Sequence, residues 1–336
     1  MPSVDWLTKR KRLYKKVENN RKSKVILYVT GDRRGMETQI HPEVIDFFSD
    51  HLDAIFPTKK ISLILYSLGG STLAAWNLAN LIRMFCDDFE IIVPQKARSA
   101  GTLMCLGANR IVMTKQATLG PIDPSLQSPL APQIPGAPPQ ARASVSVEAV
   151  KGYLDFVKLN VGIKNQAALA QVAIDLANKV HPLVLGEIFR AQGQIKFLAN
   201  ELLSHQIKDR GKKQKIVNFL CSESGSHDYT ISRREGDALG LKIEKASQEL
   251  YELLSELSQT IQGEMELGIP FSVDKMVSAE SPTAKYSCVR AMIESAKGGS
   301  NVFVSEGTVS FKQVQTPSGP QDRIEDDRQF EGWRKR

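Results

Sequence analysis

Residues 61–71 read Ile-Ser-Leu-Ile-Leu-Tyr-Ser-Leu-Gly-Gly-Ser, and residues 91–102 read Ile-Ile-Val-Pro-Gln-Lys-Ala-Arg-Ser-Ala-Gly-Thr. Each is a short apolar, β-prone run that ends in a small-residue turn. Each turn hands the chain to a helical pattern. Unbroken apolar runs of this kind suit strands buried on both faces.

The flanking sequence repeats this scheme. Residues 25–30 form an apolar run closed by Gly31-Asp32, and 110–113 form a fourth strand. Amphipathic helices are predicted over 41–54 and 71–87, with a short one starting near Ser99. Strands alternating with helices imply right-handed βαβ crossovers and a mainly parallel α/β sheet. The turns after the second and third strands then lie at the carboxyl edge, where such sheets place ligands.

Those turns carry reactive chemistry. Gly69-Gly70 lets backbone N–H groups approach a ligand without side chains in the way. Ser99 opens a helix, so its hydroxyl and the Ala100 N–H can face one crevice. A helix start also favours developing negative charge. A nucleophile beside an oxyanion hole is the arrangement acyl transfer needs. An N-capping role is the alternative for a serine at a helix start.

Composition limits the function classes. The chain has 336 residues, a net charge of +7 and 42% hydrophobic residues, which fits a folded globular protein. No apolar run reaches the roughly 18 residues of a membrane helix. The basic start lacks an apolar segment behind it, so no secretory signal is expected. Residues 1–24 hold nine Lys/Arg against Asp5 and Glu18 and so carry the whole net charge. This arm reads as a solvated helix-prone tail, with weak nucleic-acid or acidic-partner contact as the alternative. Cys86, Cys105, Cys221 and Cys288 have no CxxC spacing and read as reduced thiols of a cytoplasmic protein. No cofactor and no metal site is expected, and His41, His51 and His205 show no partner spacing.

Beyond Leu119-Gly120-Pro121 the pattern changes. Seven prolines between 121 and 140 predict a loop. From about 146 to 266 the chain reads as helical, with long helices over 183–209 and 246–266.

Four separated motifs carry a resemblance. They are Tyr66-Ser67-Leu68-Gly69-Gly70-Ser71, the stretch from Val93-Pro94 to Ala97-Arg98-Ser99-Ala100-Gly101-Thr102-Leu103, Ala108-Asn109-Arg110-Ile111-Val112-Met113, and Leu119-Gly120-Pro121-Ile122-Asp123-Pro124. They resemble the ClpP/crotonase superfamily, and within it the serine dehydrogenase proteinase family, relatives of signal-peptide peptidase A and the NfeD-type proteases. Ser226-His227-Asp228-Tyr229 and Glu235-Gly236-Asp237-Ala238-Leu239-Gly240-Leu241 extend the match. The resemblance implies stacked β-β-α units forming a twisted, mainly parallel sheet with added C-terminal helices. It also implies a serine-type peptidase in which Ser99 forms an acyl-enzyme and the N–H groups of Gly69, Gly70 and Ala100 hold the oxyanion.

The base stays open. The stretch 117–124 has no histidine where ClpP carries its own. The signal-peptide peptidase A relatives use a lysine, and Lys151 is the first candidate, with Val147, Val150 and Tyr153 as an apolar setting. His227 is the second, and Lys96 stands nearer in sequence. Asp123 would orient base or substrate, or hold its own turn. The implied partners are a polypeptide substrate and further copies of the chain. The expected organisation is a basic arm 1–24, a ClpP-like peptidase domain 25–245, a helical extension with a small hairpin 246–314, and a loose tail 315–336. Two rivals remain: a non-catalytic scaffold that binds peptide or protein, and a crotonase-like acyl-CoA enzyme.

Overall fold

The computed structural model describes residues 5–122, 125–126, 128–138, 140–143, 145–223, 226, 228–316 and 319–336. The chain forms two units, Met1–Leu119 with Ser232–Arg336, and Gly120–Ile231.

The first unit begins with α1 (Trp6–Arg21), capped by Asp5, whose carboxylate accepts from Thr8 N–H at 3.0 Å. There follow β1 (Lys24–Thr30), α2 (Val44–Ile55), β2 (Lys60–Tyr66), α3 (Thr72–Met84), β3 (Asp88–Val93), β4 (Lys96–Ala97), α4 (Ala100–Leu106), β5 (Arg110–Met113) and β6 (Thr118–Leu119). The second unit holds β7 (Ser125–Leu126), β8 (Val145–Ser146), α5 (Val147–Asp155), α6 (Gln166–Lys179), α7 (Pro182–Leu203) and α8 (Arg210–Asn218). The chain re-enters the first unit through β9 (Ile231–Ser232) and α9 (Arg233–Leu239). It continues as β10 (Ile243–Lys245), α10 (Gln248–Met265), β11 (Thr283–Ser295), β12 (Gly299–Thr316) and β13 (Gly319–Lys335).

The main sheet has the order β10-β5-β3-β2-β1-β11-β12-β13. The first five strands are parallel and the last three antiparallel. This is the mainly parallel α/β arrangement expected from the strand–turn–helix repeats, extended by three antiparallel strands. Leu27 and Val29 of β1 pack with Leu250, Leu254 and Leu257 of α10 and with Leu13, Tyr14 and Val17 of α1. On the opposite face Tyr28 meets Phe48 of α2 edge to face, with ring centroids 5.2 Å apart. Both faces are covered, which is why these strands lack polar alternation.

Two expectations fail in this unit. The basic arm is no solvated tail, because its apolar residues share one helical face and join the core. Its Arg10 is fully buried, donating from Nε and Nη2 to Glu294 at 2.7 and 2.8 Å and meeting Glu264 at 2.6 Å. Arg12, Lys15 and Lys16 occupy the exposed face.

The C-terminal stretch differs as well. Within 246–314, where a small hairpin is expected to end the helical extension, Glu306-Gly307 is mid-strand in β12, and a register shift there marks a bulge. The segment read as a loose tail is β13, paired with β12 over most of its length. Its charges face opposite charges across the ladder, as in Lys312–Glu325 at 2.6 Å and Arg334–Glu306 at 2.7 Å.

In the second unit, Ala131, Val145, Val147, Val184 and Ile188 form a small core. The long predicted helix is α7, which stops at Leu203. Among the described residues no helix is long and apolar enough to cross a membrane, and all four cysteines are free thiols.

Candidate active site

The two small-residue turns meet at the carboxyl edge of the sheet. Ser67 N–H donates to Lys96 O at 3.0 Å, and Arg98 N–H donates to Ser67 O at 3.0 Å. These bonds fix the Gly69-Gly70 turn beside Ser99. The buried Ser67 hydroxyl accepts from Thr30 Oγ1 at 2.7 Å and from Gly69 N–H at 3.0 Å. On the far side, Ile40 N–H donates to Gly69 O and Ser71 N–H to Ile40 O, both at 2.8 Å.

Gly70 sits between those two bonds, and its own N–H has no acceptor among the described residues. Gly69 and Gly70 have φ of +123° and +137°. A β-carbon at Gly70 would collide with the backbone of Ile40, and one at Gly69 would stand 2.7 Å from Ser99 Cβ. Both positions therefore require glycine.

Ser99 has φ 49° and ψ −118°. Backbone strain of this kind in a residue with a β-carbon costs about 1–3 kcal/mol and persists only where the surroundings impose it. Here they do. Gly101 N–H donates to Arg98 O at 2.8 Å, Leu103 N–H to Ser99 O at 3.0 Å, and Thr102 Oγ1 to Ala97 O at 2.7 Å. Although Ser99 holds the N-cap position of α4, its side chain makes no capping bond, and no partner for its hydroxyl exists among the described residues. Ala100, the first residue of α4, is buried and has no intrahelical acceptor for its N–H. A serine hydroxyl and two unclaimed N–H groups thus occur on adjoining turns. With only seven residues in α4, these discrete N–H groups matter more than any helix dipole.

The end of β1 adds a group that the sequence reading did not single out. Asp32 accepts from Tyr66 OH at 2.7 Å and forms an ion pair with Lys96 Nζ, which lies 5.2 Å from the Tyr66 ring centroid. Burial, reinforced by Asp32, pushes the Tyr66 phenol well above its ordinary range. Lys96 is thereby engaged by Asp32. The signal was positional, since Gly31-Asp32 closes a strand at the same edge as the other two turns.

Lys151 is on α5, exposed, with Nζ 3.4 Å from Ser222 O. Of its expected apolar setting, Val147 is turned into the small core and Tyr153 is 41% exposed. Asp123 and His227 lie outside the described residues. His51, which shows no partner spacing in the sequence, is buried with Nδ1 2.8 Å from Ser295 Oγ and Nε2 3.0 Å from Asn301 Oδ1. These partners lie some 250 positions away in sequence, so spacing held no trace of them. No group of three or more potential metal ligands occurs among the described residues.

A parallel sheet with glycine and serine turns meeting at its carboxyl edge defines an α/β protein with a candidate site at that edge. Residues 2–144 match the model of the ClpP-like SDH-type serine proteinase family. That match includes Gly69, Gly70, Ser99 and Ala100 and stops short of Lys151 and His227. Two uncharacterized proteins of Methanocaldococcus jannaschii are similar. One is 29% identical over 205 residues, covering 60% of this chain and 60% of the relative, so under two thirds of that relative's length is spanned. The other is 25% identical over 257 residues, covering 74% and 76%. Among solved structures, a serine-to-alanine variant of the 1510-N membrane-bound stomatin-specific protease aligns at 18% identity with a TM-score of 0.39, covering 72% of this chain and 86% of that one. ClpP1 from Listeria monocytogenes aligns at 16% identity with a TM-score of 0.37, covering 71% and 99%.

Proposed function

We propose that this protein is a serine peptidase in which Ser99 is the nucleophile. The observation that carries the reading is the strained, uncapped Ser99 beside a turn with a free N–H. Ser99 Oγ attacks the scissile carbonyl carbon as its proton passes to a base. The carbonyl oxygen becomes an oxyanion held by the N–H groups of Gly70 and Ala100. Gly69 N–H is already bonded to Ser67, which narrows the expected trio of donors to two. The C–N bond then breaks, the amine leaves with the base's proton, and water hydrolyses the ester. Loss of one oxyanion donor of this type costs roughly 10²–10³ in rate.

The resemblance supports Lys151 or His227 as the base. The substrate is a polypeptide, and the chain assembles with copies of itself, which light scattering checks. Fluorophosphonate labelling tests the reading. Label on the wild type that is lost in Ser99→Ala supports it, and loss in Lys151→Ala or His227→Ala names the base. An unlabelled, folded wild type supports the second reading, a peptide-binding scaffold without turnover. The exposure of Lys151 is the observation that favours the scaffold.

A further inference from the structure

A groove of about 330 Å³ opens beside the Gly70 turn, and Ile40 and Ser71 form one of its walls. Its floor is aromatic. Phe303 and Trp333 meet edge to face at 5.7 Å, and Phe47 backs Trp333 at 5.1 Å. These rings come from α2 and the C-terminal hairpin, elements outside the serine turns. Trp333 Nε1 is shielded from solvent and has no hydrogen-bond acceptor.

The charges around the groove are unbalanced. Glu37, Glu43 and Glu331 line it, against the single guanidinium of Arg290 and the exposed imidazole of His41. Arg290 is fully engaged. It donates to Met36 O at 3.0 Å, Glu37 O at 2.6 Å, Ser305 Oγ at 2.9 Å and Glu331 at 2.7 Å. Its guanidinium carbon lies 5.6 Å from the Phe303 centroid, so the floor already accommodates one cation over a ring. Glu331 is spent on Arg290 and Arg328. Glu43 lies 3.5 Å from His41, and the carboxylate of Glu37 has no ionic partner among the described residues. An aromatic floor beside the uncommitted carboxylate of Glu37 and the exposed carboxylate of Glu43 complements a cationic chain with an apolar stem.

We propose that this groove receives a lysine or arginine side chain of the polypeptide substrate, beside the bond being cut. The inference rests on the peptidase reading for its context, and its test is separate. The stem lies across Trp333 and the cationic head reaches Glu37 and Glu43. The groove is a specificity element and takes no part in the bond-breaking step.

The experiment uses full-length Ser99→Ala protein and capped hexapeptides in which one lysine is moved through every position. Each is compared with its norleucine counterpart by intrinsic tryptophan fluorescence. The expected result is binding about tenfold tighter for lysine at one position. That preference should be lost in Glu37→Gln/Glu43→Gln and weakened by raised salt. Both glutamates are exposed, so an unchanged melting temperature is expected of the double variant. Equal binding of lysine and norleucine peptides, or no binding of either, overturns the proposal. Labelling of wild-type Ser99 is measured in parallel. A labelled enzyme indifferent to lysine removes the groove and leaves the peptidase. An unlabelled protein with a Glu37/Glu43-dependent lysine preference keeps the groove and removes the peptidase.

Discussion

A methyl group on Gly69 would stand 2.7 Å from Ser99 Cβ and 3.2 Å from its hydroxyl oxygen. The glycine therefore sets the space in which the Ser99 side chain lies, and φ of +123° bars other residues independently. Gly69→Ala should displace Ser99 and lower the fluorophosphonate labelling rate about a hundredfold, the typical cost of a misplaced reacting group. Gly101→Ala is the control. Its new β-carbon would meet nothing nearer than 3.5 Å, and labelling should survive. Equal labelling of both variants would remove the packing argument.

The ion pair of Arg10 with Glu294 makes α1 part of the fold. Glu294 also accepts from Tyr14 OH at 2.6 Å and Ser300 Oγ at 2.7 Å, and Arg10 chiefly holds its carboxyl below the usual range against the opposing effect of burial. Arg10→Met leaves a buried carboxylate without its cation. Removing one member of a buried pair costs about 3–5 kcal/mol. Chemical denaturation should show that loss, whereas Lys15→Met, on the exposed face of α1, should change stability by less than about 0.5 kcal/mol.

These two regions show what the sequence made legible. The strand–turn–helix repeats revealed the parallel half of the sheet, because buried strands and glycine turns are local signals. They also located Ser99 and the Gly69-Gly70 turn. The helical docking of residues 6–21 was hidden because seven cations dominate that stretch, while Leu13, Tyr14 and Val17 are the apolar residues of its buried face. The β12–β13 pairing was hidden because charge neutralisation across strands depends on register, which no single segment carries. The Asp32–Tyr66–Lys96 contact joins three separate strand ends and has no spacing of its own.

Glu90 should give the fold a steep acid limit. It is fully buried among Arg21 at 2.8 Å, Lys60 at 2.9 Å and Arg110 at 3.0 Å, with Ser62 Oγ donating at 2.6 Å. Burial alone would raise its pKa, but the Arg21, Ser62 and Lys60 bonds outweigh it and hold the carboxyl at about 2. A depressed carboxylate contributes stability that is complete above the ordinary value of 4.5 and is lost as pH falls toward about 2. The whole contribution is about 3 kcal/mol. Denaturant midpoints measured from pH 6 to pH 2 should fall less steeply in Glu90→Gln than in the wild type. Parallel curves would show that the acid limit lies elsewhere.

His51 should act in a separate, higher pH window. Gly298 N–H donates to Ser295 Oγ at 2.9 Å, so the Ser295 hydroxyl proton is free to donate to His51 Nδ1. Nε2–H then donates to Asn301 Oδ1, which fixes a neutral imidazole. Burial is the main cause that lowers the His51 pKa, and the Asn301 bond opposes it only in part. In the unfolded chain the same ring gains a proton near pH 6.5. The unfolded state therefore binds more protons as pH drops below that value, and native stability falls with it. Chemical denaturation of the wild type at pH 8 and pH 5.5 should show a loss at the lower pH, before Glu90 titrates. His51→Gln should be less stable at both, because the two hydrogen bonds are disturbed, but its stability should change less between them. If the loss between pH 8 and pH 5.5 persists undiminished in His51→Gln, the imidazole is not its source.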